Sequence, residues 1–233
     1  AAILSAAKNK LKVFEIQMDL TKPSVDEINE LIRSSFDAAL TFDLALIIHN
    51  VGTLGDIGKW AKDITDFDEL NSYFDVNVNT PAILNNCLLK VIPAATKKVI
   101  VNITSKAAIA PFKSFGFYCM GKAAREMYFR VLAEEEKDIL VLNYSPGPVE
   151  SDMTVYAQSD SVSSETSGMF KNLRDSRTIL TTEQTTKRFL ELIAKGKRIY
   201  GLRAHVQYNF AVFDVIYGQV SFITFRIDQK VGR

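Results

Sequence analysis

The chain has little cysteine, a single tryptophan and almost no net charge, and these shortages narrow what it can do. Cys87 and Cys119 are its only cysteines. They are too few and too far apart for a metal cluster or a disulfide framework, so no metal site is expected and a reducing compartment, the cytoplasm, is. Lys and Arg number 28 against 27 for Asp and Glu, so no summed field draws the protein to nucleic acid or to an anionic membrane. The longest apolar-aromatic run, Tyr208 to Phe225, is broken by Asn209, Asp214 and Gln219 and reads as unable to span a bilayer. The N-terminal residues show neither a charged leader with an apolar core nor a starting methionine, and nothing there reads as a signal peptide. Two glycosylation sequons, at Asn102 and Asn143, lie in apolar strand-like runs that cannot house a glycan. A soluble protein with a small-molecule partner is the expectation.

What is present is core material. Of 233 residues 47% are apolar, enough for one large α/β domain. Short runs rich in β-branched residues alternate with longer amphipathic stretches, the pattern of parallel strands joined by crossover helices. Strands are predicted at Leu11 to Gln17, Asp43 to His49, Lys98 to Ile103, Ile139 to Tyr144 and Ala204 to Tyr208. A helix follows Pro23 with acidic residues in its first turn. Phe67, Leu70, Phe74 and Val78 define another, bent at Pro81. Thr181 and Gln184 stand in capping-box register for a third that closes at Gly196. The serine-rich stretch from Ser159 to Ser167 reads as a mobile loop.

In an open parallel sheet ligands bind beyond the carboxyl ends of the strands. The segments there are "MDL" from Met18, "HNVG" from His49, "TSK" from Thr104 and "SPGPVESDM" from Ser145. Ser105 ends one strand. Tyr118 and Lys122, four apart on the next helix, share a face. That pair alone is weak evidence and reads first as a packed tyrosine beside a solvated lysine.

Taken together, the motifs resemble those of the short-chain dehydrogenase/reductase family, whose site has a strand-end serine followed by Tyr-x-x-x-Lys. "HNVG" resembles the family's Asn-Asn-Ala-Gly turn, "FDVNVNT" its helix with an active-site asparagine, here Asn77, and "SPGPV" its Pro-Gly turn. "NVGTLGD", "APFKSFGFYCMGKAAREM" and "VLNYSPGPVESDM" are similar in particular to members that reduce side-chain ketones of pterins with NADPH, and the likeness runs to about Tyr208. The resemblance implies a Rossmann-like doubly wound sheet and a homodimer paired through the helices bearing Phe67 and Tyr118. It implies a catalytic set of Ser105, Tyr118, Lys122 and Asn77, with Asn77 holding a relay water. Coenzyme contacts are implied at Asp19, Leu20, Asn50, Gly52, Lys122, Val149, Glu150, Ser151, Asp152, Met153 and Thr154, and substrate contacts at Ser105, Tyr118, Gly147 and Gln207. Asn77 could instead only satisfy backbone groups at a helix bend, and Asp19 could be a turn-former. His49 reads as a packed or hydrogen-bonded side chain.

The residue types suit that chemistry. Hydride delivery to a carbonyl carbon leaves charge on oxygen, and a tyrosine hydroxyl can supply the proton. A free tyrosine has a pKa of roughly 10, so reaching neutrality takes about 4 kcal/mol of preference for phenolate. The ammonium of Lys122 is expected to provide it.

Two features depart from the family pattern. No glycine-rich, pyrophosphate-cradling turn occurs in the chain, so the domain, residues 1–209, reads as truncated at its N-terminus with coenzyme binding impaired. In the family's strand order two central strands are then missing, and Leu11 to Gln17 must either pair directly with Asp43 to His49 or leave edges uncovered. Second, Gln207 stands where the pterin-reducing members carry an anchoring aspartate, and an atypical apolar tail, residues 210–233, follows. A general carbonyl reductase and a non-catalytic binding protein that keeps the shell are the alternatives.

Overall fold

Aliphatic, β-branched runs build the sheet. The computed structural model describes residues 11–35, 43–199, 209–216 and 219–226. Leu11–Gln17 (β1), Leu44–His49 (β2), Lys97–Ile103 (β3) and Ile139–Tyr144 (β4) lie within one residue of their predicted bounds. The strand expected at Ala204 to Tyr208 lies outside the described residues.

Two further strands come from the C-terminal part of the chain, Asn209–Ile216 (β5) and Gln219–Arg226 (β6). The sheet order is β1-β6-β5-β2-β3-β4. Strands β5, β2, β3 and β4 are mutually parallel, whereas β6 runs antiparallel to both β1 and β5. Thus β1 and β2 do not pair with each other: the hairpin lies between them, with Val13 opposite Ile223 and Ile47 opposite Phe213. Exposed rows of N–H and C=O groups on two sheet edges would be costly, and the hairpin pairs both rows.

The helices follow local capping chemistry. Val25–Ser35 (α1) opens on a capping box in which Glu27 N–H donates to Ser24 Oγ (3.1 Å) and Ser24 N–H donates to Glu27 Oε2 (2.7 Å). Phe67–Phe74 (α2) is capped by Asp66, whose Oδ1 accepts from the N–H groups of Asp68 and Glu69. The chain then widens into one π-helical turn, Asp75–Asn79, before Thr80–Val91 (α3). Pro81 has no N–H for the carbonyl of Asn77, so a regular α-helix cannot be carried through; the departure precedes the proline, where a bend at the proline itself was expected.

Gly116–Glu135 (α4) crosses from β3 to β4. Asp152–Ser159 (α5) and Ser164–Asp175 (α6) follow β4. The serine-rich stretch is therefore not one loop: Ser159 ends α5, Ser164 opens α6, and only residues 160–163 connect them. Ser163 Oγ accepts from Thr166 N–H at 3.3 Å and starts α6, because a serine side chain can satisfy a helix's free donors. Thr182–Ile199 (α7) has the expected Thr181–Gln184 capping box, but it continues past Gly196. Among the described residues no helix is long and apolar enough to cross a membrane.

The principal core joins Ile28, Leu31 and Ile32 of α1, Ala45 and Ile47 of β2, Leu84, Cys87 and Leu88 of α3, Ile100 of β3, and Phe129 and Leu132 of α4. Each fully buried Ile, Leu or Phe contributes about 1.5–3 kcal/mol. This packing holds the carboxyl ends of β2 and β3 and the middle of α4 at one rim of the sheet.

Candidate active site

Lys122 joins two elements at that rim. Its Nζ donates to the carbonyl of Ile103, the last residue of β3, at 2.7 Å and lies 5.5 Å from the centroid of the Tyr118 ring one turn earlier on α4. A β-carbon on Gly52 would sit 3.1 Å from Asn77 Oδ1 and 3.9 Å from Lys122 Nζ. The missing side chain of Gly52 leaves a recess lined by an amide and an amine.

The protonation pattern differs from the sequence-based expectation. Burial, the largest influence, pushes the Tyr118 phenol up, opposed by its hydrogen bond with Ser105 and by the charge of Arg125. Lys122 is held well below the usual lysine range, first by burial and then by Arg125. The ammonium does not lower the phenol here, because both groups are desolvated and desolvation penalises each charged form. The pair rests as a neutral phenol, which can donate a proton, beside an amine that is readily deprotonated.

Ser105 follows β3 and caps the short 3-10 turn Lys106–Ala108, its Oγ accepting from Ala107 N–H at 3.2 Å. Ser105, Tyr118 and Lys122 are thus brought together from a strand end and one helix face. Asn77 lies in the π-turn and is 4% exposed. Its Oδ1 accepts from Thr53 N–H at 2.8 Å, while its Nδ2 donates to Tyr73 O at 2.8 Å and Thr53 Oγ1 at 3.2 Å. It therefore does the backbone satisfaction anticipated for it and also forms the wall beside Gly52.

The remaining candidates stand along the same edge. Leu20 is buried, and its carbonyl accepts from Thr80 Oγ1 at 2.9 Å. Asp19 is exposed and bonds Thr21 as a turn-former, which holds its carboxyl below the usual range. Asn50 is exposed beyond β2. Gly147 takes φ +82°, a left-handed conformation that glycine adopts without strain. After it, Glu150 N–H donates to Leu180 O and Leu180 N–H to Pro148 O. Ser151 and Thr154 form a capping box at α5, with Asp152 exposed beside them. Met153 packs with Tyr118 against the cluster of Leu54, Ile57, Phe115, Ala157 and Phe170. Val149 bridges to Leu180. Gln207 lies outside the described residues.

Arg125 and Arg174 were not anticipated, whereas the packed, hydrogen-bonded state of His49 was. Arg125, two turns after Tyr118, is buried and donates to His49 O, Val51 O (2.7 Å), Asn77 O (3.3 Å) and Asn102 Oδ1 (2.7 Å). Its register in Tyr-x-x-x-Lys-x-x-Arg was the available signal, since positions three and four apart share a face. Arg174 grips both carboxylate oxygens of Glu150, together with Thr154 and Gln158. His49 is buried with Nε2 3.1 Å from Asn85 Oδ1 and Nδ1 without a partner. Among the described residues no group of His, Cys, Asp or Glu could hold a metal ion. Surface depressions along α6 and α7 include none of the residues above; each is the face of a single helix.

Comparison with known proteins gives a consistent picture. Residues 1–161 match the model of the family described as short chain dehydrogenase. The chain is 42% identical over 150 residues to sepiapterin reductase of Xenopus tropicalis, covering 64% of this chain and 58% of that protein. It is 36% identical over 165 residues to sepiapterin reductase of Bos taurus, covering 70% and 61%. The chain therefore spans about three fifths of the length of these relatives. Among solved structures the KRED1-Pglu enzyme superposes with a TM-score of 0.64 at 22% identity, covering 75% of this chain and 71% of that one, a likeness of fold. A short chain dehydrogenase of Escherichia coli CFT073 complexed with NADPH superposes with a TM-score of 0.50 at 25% identity, covering 58% and 55%.

Proposed function

The chain belongs to the short-chain dehydrogenase family, and on that premise we propose that it is an NADPH-dependent reductase of side-chain ketones on pterins, the chemistry of tetrahydrobiopterin synthesis, acting in the cytoplasm. The observation that carries the proposal is the grouping of Ser105, Tyr118 and Lys122, with Lys122 Nζ 5.5 Å from the Tyr118 ring and Ser105 hydrogen-bonding the phenol. Likeness to the sepiapterin reductases supports the pterin, and likeness to an NADPH-bound dehydrogenase supports the coenzyme.

The residues fit such a coenzyme. The recess over Gly52, which a β-carbon would fill, has Lys122 Nζ and Asn77 Oδ1 on its walls and suits the hydroxyls of a ribose. Lys122 and Gly52 would hold that end, Asp19, Leu20 and Asn50 the adenosine side, and Val149 to Thr154 the nicotinamide side. When bound, NADPH supplies the hydride. Tyr118 gives its phenolic proton to the carbonyl oxygen, and Ser105 donates a hydrogen bond that holds this oxygen beside it. Lys122 and a water held at Asn77 return a proton to Tyr118, while Gly147 leaves space for the substrate. Gln207 keeps a neutral acceptor for the pterin and favours a second reading, reduction of simpler ketones.

Exposed Phe67, Met120, Met127 and Val131 on α2 and α4 suit a homodimer through those helices, which sedimentation velocity tests. The function is tested by titrating NADPH against protein fluorescence and then measuring ketone-dependent oxidation at millimolar coenzyme. Turnover of sepiapterin is expected. Turnover of simple diketones alone would favour the second reading, and no ketone-dependent oxidation would overturn both.

A further inference from the structure

A cation taken out of water without a counter-ion is costly, and it persists only where its donors are fully used. Arg125 is such a cation. It is 2% exposed, and among the described residues its guanidinium meets no carboxylate; its partners are the carbonyls of His49, Val51 and Asn77 and the side-chain oxygen of Asn102. Those acceptors belong to three segments. His49 and Val51 flank Asn50 at the end of β2, Asn77 is in the π-turn, and Asn102 is in β3 one residue before the Ile103 carbonyl that holds Lys122. Pro81 cannot donate to the Asn77 carbonyl, and Arg125 does so instead. The fork is planar and rigid, so it sets the spacing of these segments as a flexible ammonium would not.

Resting on the reductase reading above, we propose that Arg125 is a positioning residue for the reaction: its fork fastens the three backbone segments around Lys122 and holds an unpaired charge one turn beyond it. The arrangement of charge agrees. Arg125 lies one turn beyond Lys122 on α4, and its field disfavours the ammonium of Lys122 while favouring the phenolate of Tyr118. The other titratable groups around the pair are Tyr73 from α2, Cys119 and Glu126 on α4, and His49 from β2. Burial holds Tyr73 protonated, well above the usual tyrosine range. Burial also raises Cys119, Glu126 accepts from Thr104 Oγ1 at 2.7 Å, and His49 is held neutral by burial. None of these supplies a compensating negative charge beside Arg125.

The test compares Arg125→Gln, which removes the charge, with Arg125→Lys, which keeps the charge and loses the fork. Lysine-selective carbon-13 labelling and NMR titration report the protonation midpoint of Lys122, assigned by its disappearance in Lys122→Met, with neither substrate nor coenzyme present. Arg125→Gln is expected to raise that midpoint by about one pH unit, and Arg125→Lys to leave it within a few tenths. An unmoved midpoint in folded Arg125→Gln overturns the proposal. If Arg125→Gln does not fold, Arg125→Lys decides: an unchanged midpoint supports the charge assignment and a full-unit rise overturns it. Where the wild type turns over, the alkaline limb of the rate profile shifts upward in Arg125→Gln, and kcat falls about tenfold in Arg125→Lys with little change in ketone KM. A limb that stays in place, or an undiminished kcat in Arg125→Lys, counts against the proposal. Absence of turnover in the wild type would sink the reductase reading and leave the Lys122 titration readable.

Discussion

A β-carbon on Gly121 would meet the hydroxyl oxygen of Tyr73 at 2.7 Å and its Cε1 at 2.8 Å. The glycine lies between Tyr118 and Lys122 on α4, and Tyr73 presses α2 onto that spot. Alanine is favoured over glycine in a helix by about 1 kcal/mol, whereas overpacking costs about 1–3 kcal/mol. Gly121→Ala should therefore lose up to about 2 kcal/mol in chemical denaturation. Tyr73→Phe in the same background should recover part of the loss, since the nearest atom is the hydroxyl. A stabilised Gly121→Ala would contradict the close approach.

His49 should make the fold acid-sensitive. Burial and the Arg125 charge hold its pKa at about 3, against the usual 6.5. The unfolded chain binds the proton first as pH falls, so this contribution is complete above about 6.5 and is lost progressively towards 3. The slope is about 1.4 kcal/mol per pH unit inside the window. His49→Gln can retain the bond to Asn85 and removes the titration. Denaturation at pH 7 and pH 5 should show a smaller loss for His49→Gln than for the wild type, and equal losses would refute the assignment.

Arg174 should govern the segment after β4. Its fork on Glu150 and its bonds to Thr154 and Gln158 tie residues 150–158 to α6. Glu150 remains 44% exposed in its side chain, so Arg174→Ala should cost little global stability, about 1 kcal/mol or less. Local opening should change much more. Hydrogen exchange of the amides of residues 150–154 is expected to speed at least tenfold, and unchanged exchange would show that the clamp is not what orders them.

The local elements were largely legible. Runs such as "LALIIH" and "ILVLNY" announce strands by composition, and Thr181 with Gln184 announces a helix start by hydrogen-bonding chemistry. The grouping of Ser105, Tyr118 and Lys122 was also within reach, because a strand end and one helix face suffice to define it. Sheet order was not. Residues 209–226 carried a hairpin signal, two apolar runs with Tyr217 and Gly218 between them, yet nothing local says that such a hairpin pairs with β1 on one side and β2 on the other. Arg125 was hidden for a similar reason. Its acceptors are far away in sequence, and the most telling one, the Asn77 carbonyl, is free only because Pro81 opens the helix. The protonation of Tyr118 was misjudged because charge proximity was weighed without burial, which dominates at both members of the pair.

The central claim is that Tyr118 donates the proton in carbonyl reduction. The most direct measurement is the rate of sepiapterin-dependent NADPH oxidation at saturating coenzyme in the wild type and in Tyr118→Phe, with coenzyme binding measured in both. A fall of about a hundredfold or more in kcat with coenzyme affinity retained is predicted. An undiminished kcat in Tyr118→Phe would contradict the account.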